Sequence, residues 1–458
     1  MQTQKDHVHA YQTLVGRMSA ALLLGDPNQS EPPARRAFIG IVFGMVLALL
    51  IGVAFWVYGL INPGGNTAWS KPKAIVVEEE SGARYVYQNG ALVPVLNHAS
   101  AMLVQGAGAK VENISRASLV DVPRGRPMGI EGAPQSVPEQ GSLVSGGWLL
   151  CLGQGDGGPV PGGGSLSMNL DPDVASTPVT GKEYLWVTST DGTQYVVWGN
   201  QKMRLAEPSV PIALGLGVGV PPTAAPEWLG ALPDGPEIAA ASLPGGDEIS
   251  IAGAVHQPGT VFRQDIGNGV EHYFVLREDG LAPLSATEAA LLQSRSGAAA
   301  VPIDAVSIAG APRSADSSLT TRIPDLLTMR PVPAGERALC LKQQPQGVFL
   351  ASQPVTADPG VAGIGAGGQT GRMGMHLKPG TALLAASVPA PTGRGQKPDR
   401  YLIDETGMKY RLADDEAIKA LGFGGAQPNP VPAELLAAIP SGPMLSREAV
   451  GVFEKGQG

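Results

Sequence analysis

The chain has 458 residues, more than one ordinary domain, and its 32 Lys and Arg against 40 Asp and Glu give a net charge of −8 at pH 7. This acidic balance argues against a protein that binds nucleic acid through a basic surface. Two cysteines and six scattered histidines argue against a zinc finger or an iron–sulfur centre, and the many Gly (62) and Pro (41) residues predict long irregular connections.

Residues 1–37 predict a cytosolic amphipathic helix followed by a connector. Apolar side chains in this arm recur at spacings of three and four residues, which places them on one helical face: Val8, Tyr11, Val15, Met18 and Leu22. Gly25-Asp26-Pro27 predicts the end of the helix. An arm this short has no core of its own, so we expect the face to pack either on the membrane surface or on a partner subunit.

Residues 38–61 predict a transmembrane helix. The segment carries no charge, and a helix of this length, about 36 Å, can cross a hydrocarbon core about 30 Å thick. A cleaved signal peptide is the competing interpretation, but its apolar region would span only about 7–15 residues. Lys and Arg are more frequent on the N-terminal side, at Lys5, Arg17, Arg35 and Arg36 against Lys71 and Lys73. This bias predicts a cytoplasmic N-terminus with the rest of the chain outside.

Beyond a Pro/Gly linker at 62–73, the sequence repeats itself. Repeat units 1 and 3 each predict a β-hairpin and a short helix, with turns at Asn89-Gly90 and Asp279-Gly280. Repeat units 2 and 4 share a similar hairpin and a matching downstream segment at 227–238 and 434–445. The four repeat units are assigned to 74–106, 181–240, 241–296 and 399–446, the two halves of a central domain to 107–180 and 297–398, and a C-terminal tail to 447–458.

The spacing between matching residues indicates two related halves, at 75–240 and 260–446. Internal duplication of this kind predicts a pseudo-two-fold arrangement. Cys151 and Cys340 occupy equivalent positions in the two halves, and equivalent atoms near a two-fold axis lie close together, so we predict a disulfide between them. An oxidising exterior would allow this bond, and closing so long a loop would contribute about 5 kcal/mol in the chain-entropy model.

The alternative for the cysteines is two unrelated buried thiols, since metal ligation needs more ligands than the sequence offers. Cys151 could act as a nucleophile only if the disulfide were absent. The sequence contains no Gly-x4-Gly-Lys-Ser/Thr, Gly-x-Ser-x-Gly or His-Glu-x-x-His motif. We therefore predict no catalytic residue, no cofactor-binding residue and no metal site.

The short cytosolic helix, the single span, the four hairpin–helix units and the paired cysteines together resemble the EccB family, a core membrane component of type VII (ESX) secretion systems. The most specific residues are Gly25-Asp26-Pro27 with Arg35-Arg36, and the segment 123–134. The resemblance implies an α+β fold in which one N-terminal transmembrane helix precedes a duplicated, pseudo-two-fold extracytoplasmic region. That region would contain a β-rich, disulfide-linked central domain and four small hairpin–helix repeat domains, similar to a phage-lysin cell-wall-binding fold.

The resemblance also implies a structural core subunit of an inner-membrane complex with EccC, EccD, EccE and a mycosin-type protease. We expect its outer region to self-assemble, with the exposed edges of the hairpins available for contacts. Two alternative functions are a peptidoglycan-binding membrane anchor and an ATP-hydrolysing secretion component, because members of the family are sometimes labelled ATPases. The missing phosphate-binding loop counts against the second alternative.

Overall fold

The computed structural model describes residues 4–25, 35–61, 65–153, 165–170, 173–333, 335–346, 349–363, 373–393 and 395–451. The chain forms two compact parts. The first comprises residues 1–71 together with 78–81 and 113–122. The second comprises residues 72–77, 82–112 and 123–458.

Two helices begin the first part, α1 (Gln4–Leu24) and α2 (Arg35–Ile61). The α1 helix ends where Gly25 adopts a left-handed conformation (φ 70°) and donates its N–H to the Ala21 carbonyl at 3.2 Å. The predicted stop at Gly25 is therefore present, whereas Asp26 and Pro27 lie outside the described residues. The α2 helix begins at Arg35, three residues before the predicted span, so its first turn includes the two arginines that precede the apolar segment.

Residues 65–70 are packed rather than extended. Residues Ala68–Ser70 form one turn of 3-10 helix in which Ala68 is buried. The Asn66 N–H donates to the Ser118 hydroxyl at 3.2 Å, and Gly65 lies so close that a Cβ there would approach the Ser118 oxygen to 2.3 Å. The end of the predicted linker thus docks on the same compact part.

The first repeat unit is a four-stranded sheet with one helix. Its elements are β1 (Ala74–Glu78), β2 (Arg84–Gln88), β3 (Ala91–Pro94), α3 (His98–Gln105) and β4 (Lys110–Ile114). The strand order is β3-β2-β1-β4. Asn89 and Gly90 both have positive φ, 51° and 81°, which is the conformation that a two-residue hairpin turn requires.

The chain continues through the first strands of the central sheet, β5 (Trp148–Leu152), β6 (Leu166–Asn169) and β7 (Ser176–Pro178). Repeat unit 2 contains β8 (Glu183–Ser189), β9 (Gln194–Trp198), β10 (Gln201–Arg204), α4 (Ser209–Ala213) and β11 (Thr223–Ala224), and is followed by α5 (Pro226–Gly230). A separate hairpin, β12 (Ile249–Ile251) and β13 (Ala254–His256), precedes repeat unit 3. That unit contains β14 (Val261–Gly267), β15 (Val270–Arg277), β16 (Gly280–Leu284), α6 (Ala286–Ser296) and β17 (Val301–Pro302).

A short helix and a short strand, α7 (Ala305–Gly310) and β18 (Arg330–Pro331), lead back to the central sheet. Its remaining strands are β19 (Ala338–Gln346), β20 (Phe349–Ala357) and β21 (Met373–His376). Repeat unit 4 contains β22 (Leu383–Val388), β23 (Arg400–Ile403), β24 (Lys409–Leu412), α8 (Asp415–Ala420) and β25 (Asn429–Pro432), and is followed by α9 (Ala433–Ala438).

The four repeat units have one topology, and the strands of three of them extend beyond the predicted bounds, to Ile114 in unit 1, to Pro302 in unit 3 and back to Leu383 in unit 4. Repeat units 2, 3 and 4 have the strand orders β10-β9-β8-β11, β16-β15-β14-β17 and β24-β23-β22-β25, which match repeat unit 1. The fourth strand runs parallel to the first in units 2, 3 and 4, and the helix connects the third strand to the fourth. In three units, the residue before the helix accepts a hydrogen bond from a backbone N–H in the first turn, at Asn97, Ser285 and Asp414.

The repeat units pack in pairs that join the two halves. The α4 helix of unit 2 packs against α6 of unit 3, and the buried side chains Val210, Leu214 and Leu292 belong to one shared core. The α3 helix of unit 1 packs in the same way against α8 of unit 4, where Leu103 and Ile418 share a second core. Each half therefore buries its repeat units against those of the other half.

The central sheet has six strands in the order β21-β6-β5-β19-β20-β7. The two halves meet at its middle, where β5 and β19 pair antiparallel with Cys151 opposite Cys340. The outermost strands are exchanged, since β21 of the second half pairs with β6 and β7 of the first half pairs with β20. The first pairing is parallel and the second antiparallel, so the two-fold relation is approximate.

Candidate assembly surfaces

The predicted apolar face of α1 is exposed. All five of its residues lie at the surface, from Val15 at 47% exposure to Leu22 at 84%. Leu14 is 60% exposed and lies three residues after Tyr11 and four before Met18, so it belongs to the same face. We did not assign Leu14 from the sequence, although the spacing rule identifies it. The helix therefore presents a six-residue apolar surface.

After Arg35 and Arg36, the α2 helix is apolar on every face. Residues Ala37–Gly59 are long and apolar enough to cross a membrane, and large side chains such as Phe43 and Phe55 are exposed. Small residues recur every four positions, at Gly40, Gly44, Ala48 and Gly52. A Cβ added at Gly40, Gly44 or Gly52 would meet no atom within 4 Å. Small residues at this spacing allow another membrane helix to approach closely.

The two predicted cysteines are joined by a disulfide at the centre of the main sheet. Both residues are completely buried, and around them Leu149, Ala338 and Val355 form a small apolar cluster. On the other side of the sheet, α5 and α9 share one core with β5 and β19. The Trp228 indole N–H of α5 donates to the Leu150 carbonyl at 3.1 Å. The cross-link therefore fixes the point at which the two halves meet.

A downstream segment covers the third strand of every repeat unit. In each case a backbone N–H of the strand donates to a proline carbonyl, at 2.8–3.0 Å: Leu92 to Pro123, Lys202 to Pro233, Leu281 to Pro312 and Lys409 to Pro440. The carbonyl of the same strand residue accepts the N–H of the second residue after that proline, at 2.7–3.0 Å: Gly125, Gly235, Ser314 and Gly442. We call 123–128, 233–238, 312–314 and 440–445 the covering segments.

These contacts correct one expectation. We expected the edges of the hairpins to be exposed, but the third-strand edge of each unit is already paired with its covering segment. Three covering segments contain the repeated Pro and Gly residues of the sequence. Proline removes a backbone donor and cannot extend a ladder outward, so these segments close the edges against further pairing.

One cleft of about 370 Å3 lies beside the first turn of repeat unit 2. Its lining includes Asp191, Thr193, Arg204 and Glu207. The Thr193 N–H donates to the Asp191 carboxylate at 2.9 Å and thereby lowers the pKa of that carboxyl. Arg204 is paired with Glu237. The residues that line this cleft include no His or Lys that could activate the Thr193 hydroxyl.

A family model described as "Type VII secretion system ESX-1, transport TM domain B" matches residues 1–456, nearly the whole chain. The chain belongs to the EccB family. Among curated relatives, the ESX-1 secretion system ATPase EccB1 of Mycobacterium tuberculosis (strain H37Rv) is 27% identical over 478 residues, which cover 98% of this chain and 94% of that protein. The ESX-3 secretion system ATPase EccB3 of Mycolicibacterium smegmatis is 27% identical over 482 residues, which cover 97% and 89%.

Chains in solved structures of ESX complexes have the same fold. A chain in an intact ESX-5 inner membrane complex superimposes with a TM-score of 0.61 at 23% identity and covers 100% of this chain and 96% of that chain. A chain of the EccB3 dimer from the ESX-3 core complex gives a TM-score of 0.57 at 25% identity, covering 83% of this chain and 100% of that chain. These matches confirm the predicted fold class.

As an EccB protein, this chain is a core subunit of an ESX inner-membrane secretion complex. The predicted family, fold class and secretion role are therefore confirmed. The names of the curated relatives include an ATPase, whereas this sequence lacks the Gly-x4-Gly-Lys-Ser/Thr motif that would hold the phosphates.

Proposed function

We propose that this EccB protein is a scaffold with contacts on both sides of the inner membrane. The α1 helix lies in the cytoplasm, α2 crosses the bilayer, and residues 65–451 lie on the outer side, where copies of the chain associate. The observation that carries this proposal is the combination of an exposed apolar arm and a single apolar span with a cross-linked outer region. The bilayer covers the apolar span, whereas the exposed apolar face of α1 needs a cover that another subunit of a complex would provide.

Two independent features support the proposed orientation. Lys and Arg are enriched on the α1 side of the span. The Cys151–Cys340 disulfide belongs to the residues beyond the span, and disulfides persist in oxidising compartments and are rare in the cytosol.

The partners that we propose are EccC, EccD, EccE and a mycosin-type subunit. The exposed face of α1 is the proposed contact for a partner on the cytoplasmic side. Self-association on the outer side is supported by the solved EccB3 relative, which is described as a dimer.

Co-purification with a matched pair of variants tests the scaffold role. The tagged full chain is extracted from its native membranes in mild detergent, and its partners are identified by mass spectrometry. Met18→Glu puts a charge on the apolar face of α1, and we expect it to reduce recovery of the cytoplasmic-side partner at least about tenfold. Thr13→Glu adds the same charge on the opposite face of the helix and should leave recovery unchanged. Equal recovery with both variants, or a solely monomeric wild-type particle, would contradict the proposal.

Cysteine labelling tests the orientation. The two native cysteines are bonded to each other, so a single introduced thiol is the reactive one. Thr190 is exposed at the first hairpin turn of repeat unit 2, and Thr13 is exposed on α1. A membrane-impermeant maleimide should label Thr190→Cys in intact cells and Thr13→Cys only after lysis. The reverse pattern would overturn the proposed orientation.

A further inference from the structure

Among the described strands of the four repeat units and the central sheet, nearly every sheet edge is closed. The third strands of the repeat units carry covering segments. The fourth strands of repeat units 2 and 3, β11 and β17, have only two residues each, and β25 of unit 4 contains Pro430 and Pro432. At the ends of the central sheet, β7 has three residues including Pro178, and the first three residues of β21 are buried.

The fourth strand of repeat unit 1 differs from these edges. It is β4 (Lys110–Ile114), which has five residues and no proline, and Val111 is 51% exposed. The Lys110 N–H donates to the Lys73 carbonyl at 3.0 Å, and the Ile114 carbonyl accepts the Glu79 N–H at 3.1 Å. Residues 110, 112 and 114 therefore direct their backbone groups toward β1. Because backbone groups alternate along a strand, those of Val111 point away from the sheet.

We propose that a second copy of this chain adds its own β4 antiparallel to this edge, with Val111 opposite the partner subunit's Val111. The inference rests on the self-association in the proposed function and assigns a surface to it. Adjacent N–H and C=O groups of the two valines would then exchange two hydrogen bonds. The two four-stranded sheets would become one sheet of eight strands, as in recognition by strand addition.

The charges of β4 select this register and this partner. With Val111 on the two-fold axis, Lys110 lies opposite the partner subunit's Glu112, and Glu112 lies opposite the partner subunit's Lys110. A shift that puts Glu112 on the axis places two carboxylates opposite each other, which is destabilising. The sequence Lys-Val-Glu is thus self-complementary around its valine. A carboxylate has two oxygens and can serve several donors, so Glu112 can keep its contacts within its own chain.

Single-cysteine cross-linking of the full chain tests the register. Opposite residues in a hydrogen-bonded antiparallel pair have Cα atoms about 5.5 Å apart, within the range of a disulfide. We expect Val111→Cys to give a covalent dimer under mild oxidation. Asn113→Cys, exposed on the same strand, is the control, because two such residues would lie about 14 Å apart in this register. Equal cross-linking at both positions would overturn the proposed register.

Charge reversal tests the pairing independently. We expect Lys110→Glu to weaken self-association of the full chain in detergent about tenfold, because it places like charges opposite each other twice. Adding Glu112→Lys should restore the wild-type dissociation constant. Arg126→Glu makes the same charge change on the exposed covering segment of the same unit and should have no effect.

The outcome also separates this inference from the proposed function. If the double variant is no better than Lys110→Glu, or if Lys110→Glu and Arg126→Glu act equally, the β4 contact is wrong. Co-purification of other secretion subunits in the same preparations would then still support the scaffold role. If the wild-type chain neither self-associates nor recovers other subunits, the proposed function fails as well.

Discussion

Repeat units 1 and 3 occupy equivalent places in the two halves, yet they use glycines at different positions to bring the covering segment close to the third strand. In unit 1 the glycine is Gly125 of the covering segment, where a Cβ would approach the Val93 side chain to 2.8 Å. In unit 3 the covering segment has Ser314 instead, and the glycine is Gly280 of the strand, where a Cβ would lie 2.3 Å from the Pro312 carbonyl oxygen.

The backbone contact is nevertheless the same in both units. The N–H to proline carbonyl distance is 2.8 Å at Leu92 in unit 1 and 2.8 Å at Leu281 in unit 3. The position of the glycine differs between the two units, whereas the distance between strand and covering segment is the same, so this distance is the feature that the fold requires. The glycine that permits this close approach can lie either in the strand or in the covering segment.

Repeat units 2 and 4 show a second variation on one contact. The Lys202 ammonium donates to the Leu232 carbonyl at 2.8 Å and also pairs with the exposed Asp234. The equivalent Lys409 is buried and donates to the Leu436 and Ile439 carbonyls. Both lysines satisfy carbonyls near the end of the helix that follows the unit, but burial lowers the pKa of Lys409.

The largest expected effect comes from removing the bond that joins the two halves. Cys151→Ala with Cys340→Ala should lower the free energy of unfolding by about 3–5 kcal/mol, because the disulfide closes a long loop in the unfolded chain. Urea denaturation of the purified full chain under non-reducing conditions measures this change.

A second double variant separates the cross-link from the packing. Cys151→Ala with Cys340→Val restores much of the buried volume without a covalent bond. It should remain much less stable than the wild type. A stability equal to that of the wild type would show that the shared cores alone hold the halves together.

The next effect distinguishes the two glycine arrangements. Gly280→Ala places a Cβ against the Pro312 backbone at a positive φ of 128°, and we expect a loss of about 2–4 kcal/mol. Gly125→Ala meets mainly the end of the Val93 side chain and should cost about 1 kcal/mol, since a side chain can shift. Thermal unfolding of the purified variants ranks these losses of stability.

Gly269→Ala is the control, because Gly269 has a positive φ but no atom lies near the added Cβ. It therefore isolates the contribution of backbone strain. Equal losses of stability for Gly269→Ala and Gly280→Ala would contradict the steric explanation.

Local features of this fold could be predicted from the sequence. The hairpins carry their own signals, as at Asn89-Gly90, and the membrane helix follows from an uninterrupted apolar run. The duplication placed Cys151 and Cys340 at equivalent positions, which was enough to predict their pairing.

The contacts between distant elements could not be predicted in the same way. Leu103 of α3 shares a core with Ile418 of α8, but nothing in either short helix identifies the other as its neighbour. Two covering segments were recognised in the sequence only as part of the matching segments 227–238 and 434–445, and a third only as part of the segment 123–134. They lack the alternating apolar pattern of a strand and pair through backbone groups, so the expectation of exposed edges was wrong for the third strands.

The smallest expected effect is on the pH dependence of stability, and it tests a titratable side chain that the first half has and the second lacks. His98 begins α3, whereas the equivalent helix α6 begins with Ala286. Burial, and secondly the Arg84 charge, lower the pKa of His98 below 6.5. The unfolded chain therefore binds a proton more readily than the folded chain as the pH falls below about 6.5, so the wild type loses stability in that range. His98→Ala removes this loss. As the pH is lowered from 8 to 5.5, we expect the Tm of the variant to rise relative to that of the wild type. If the difference in Tm stayed the same at both pH values, His98 would titrate alike in the folded and the unfolded chain.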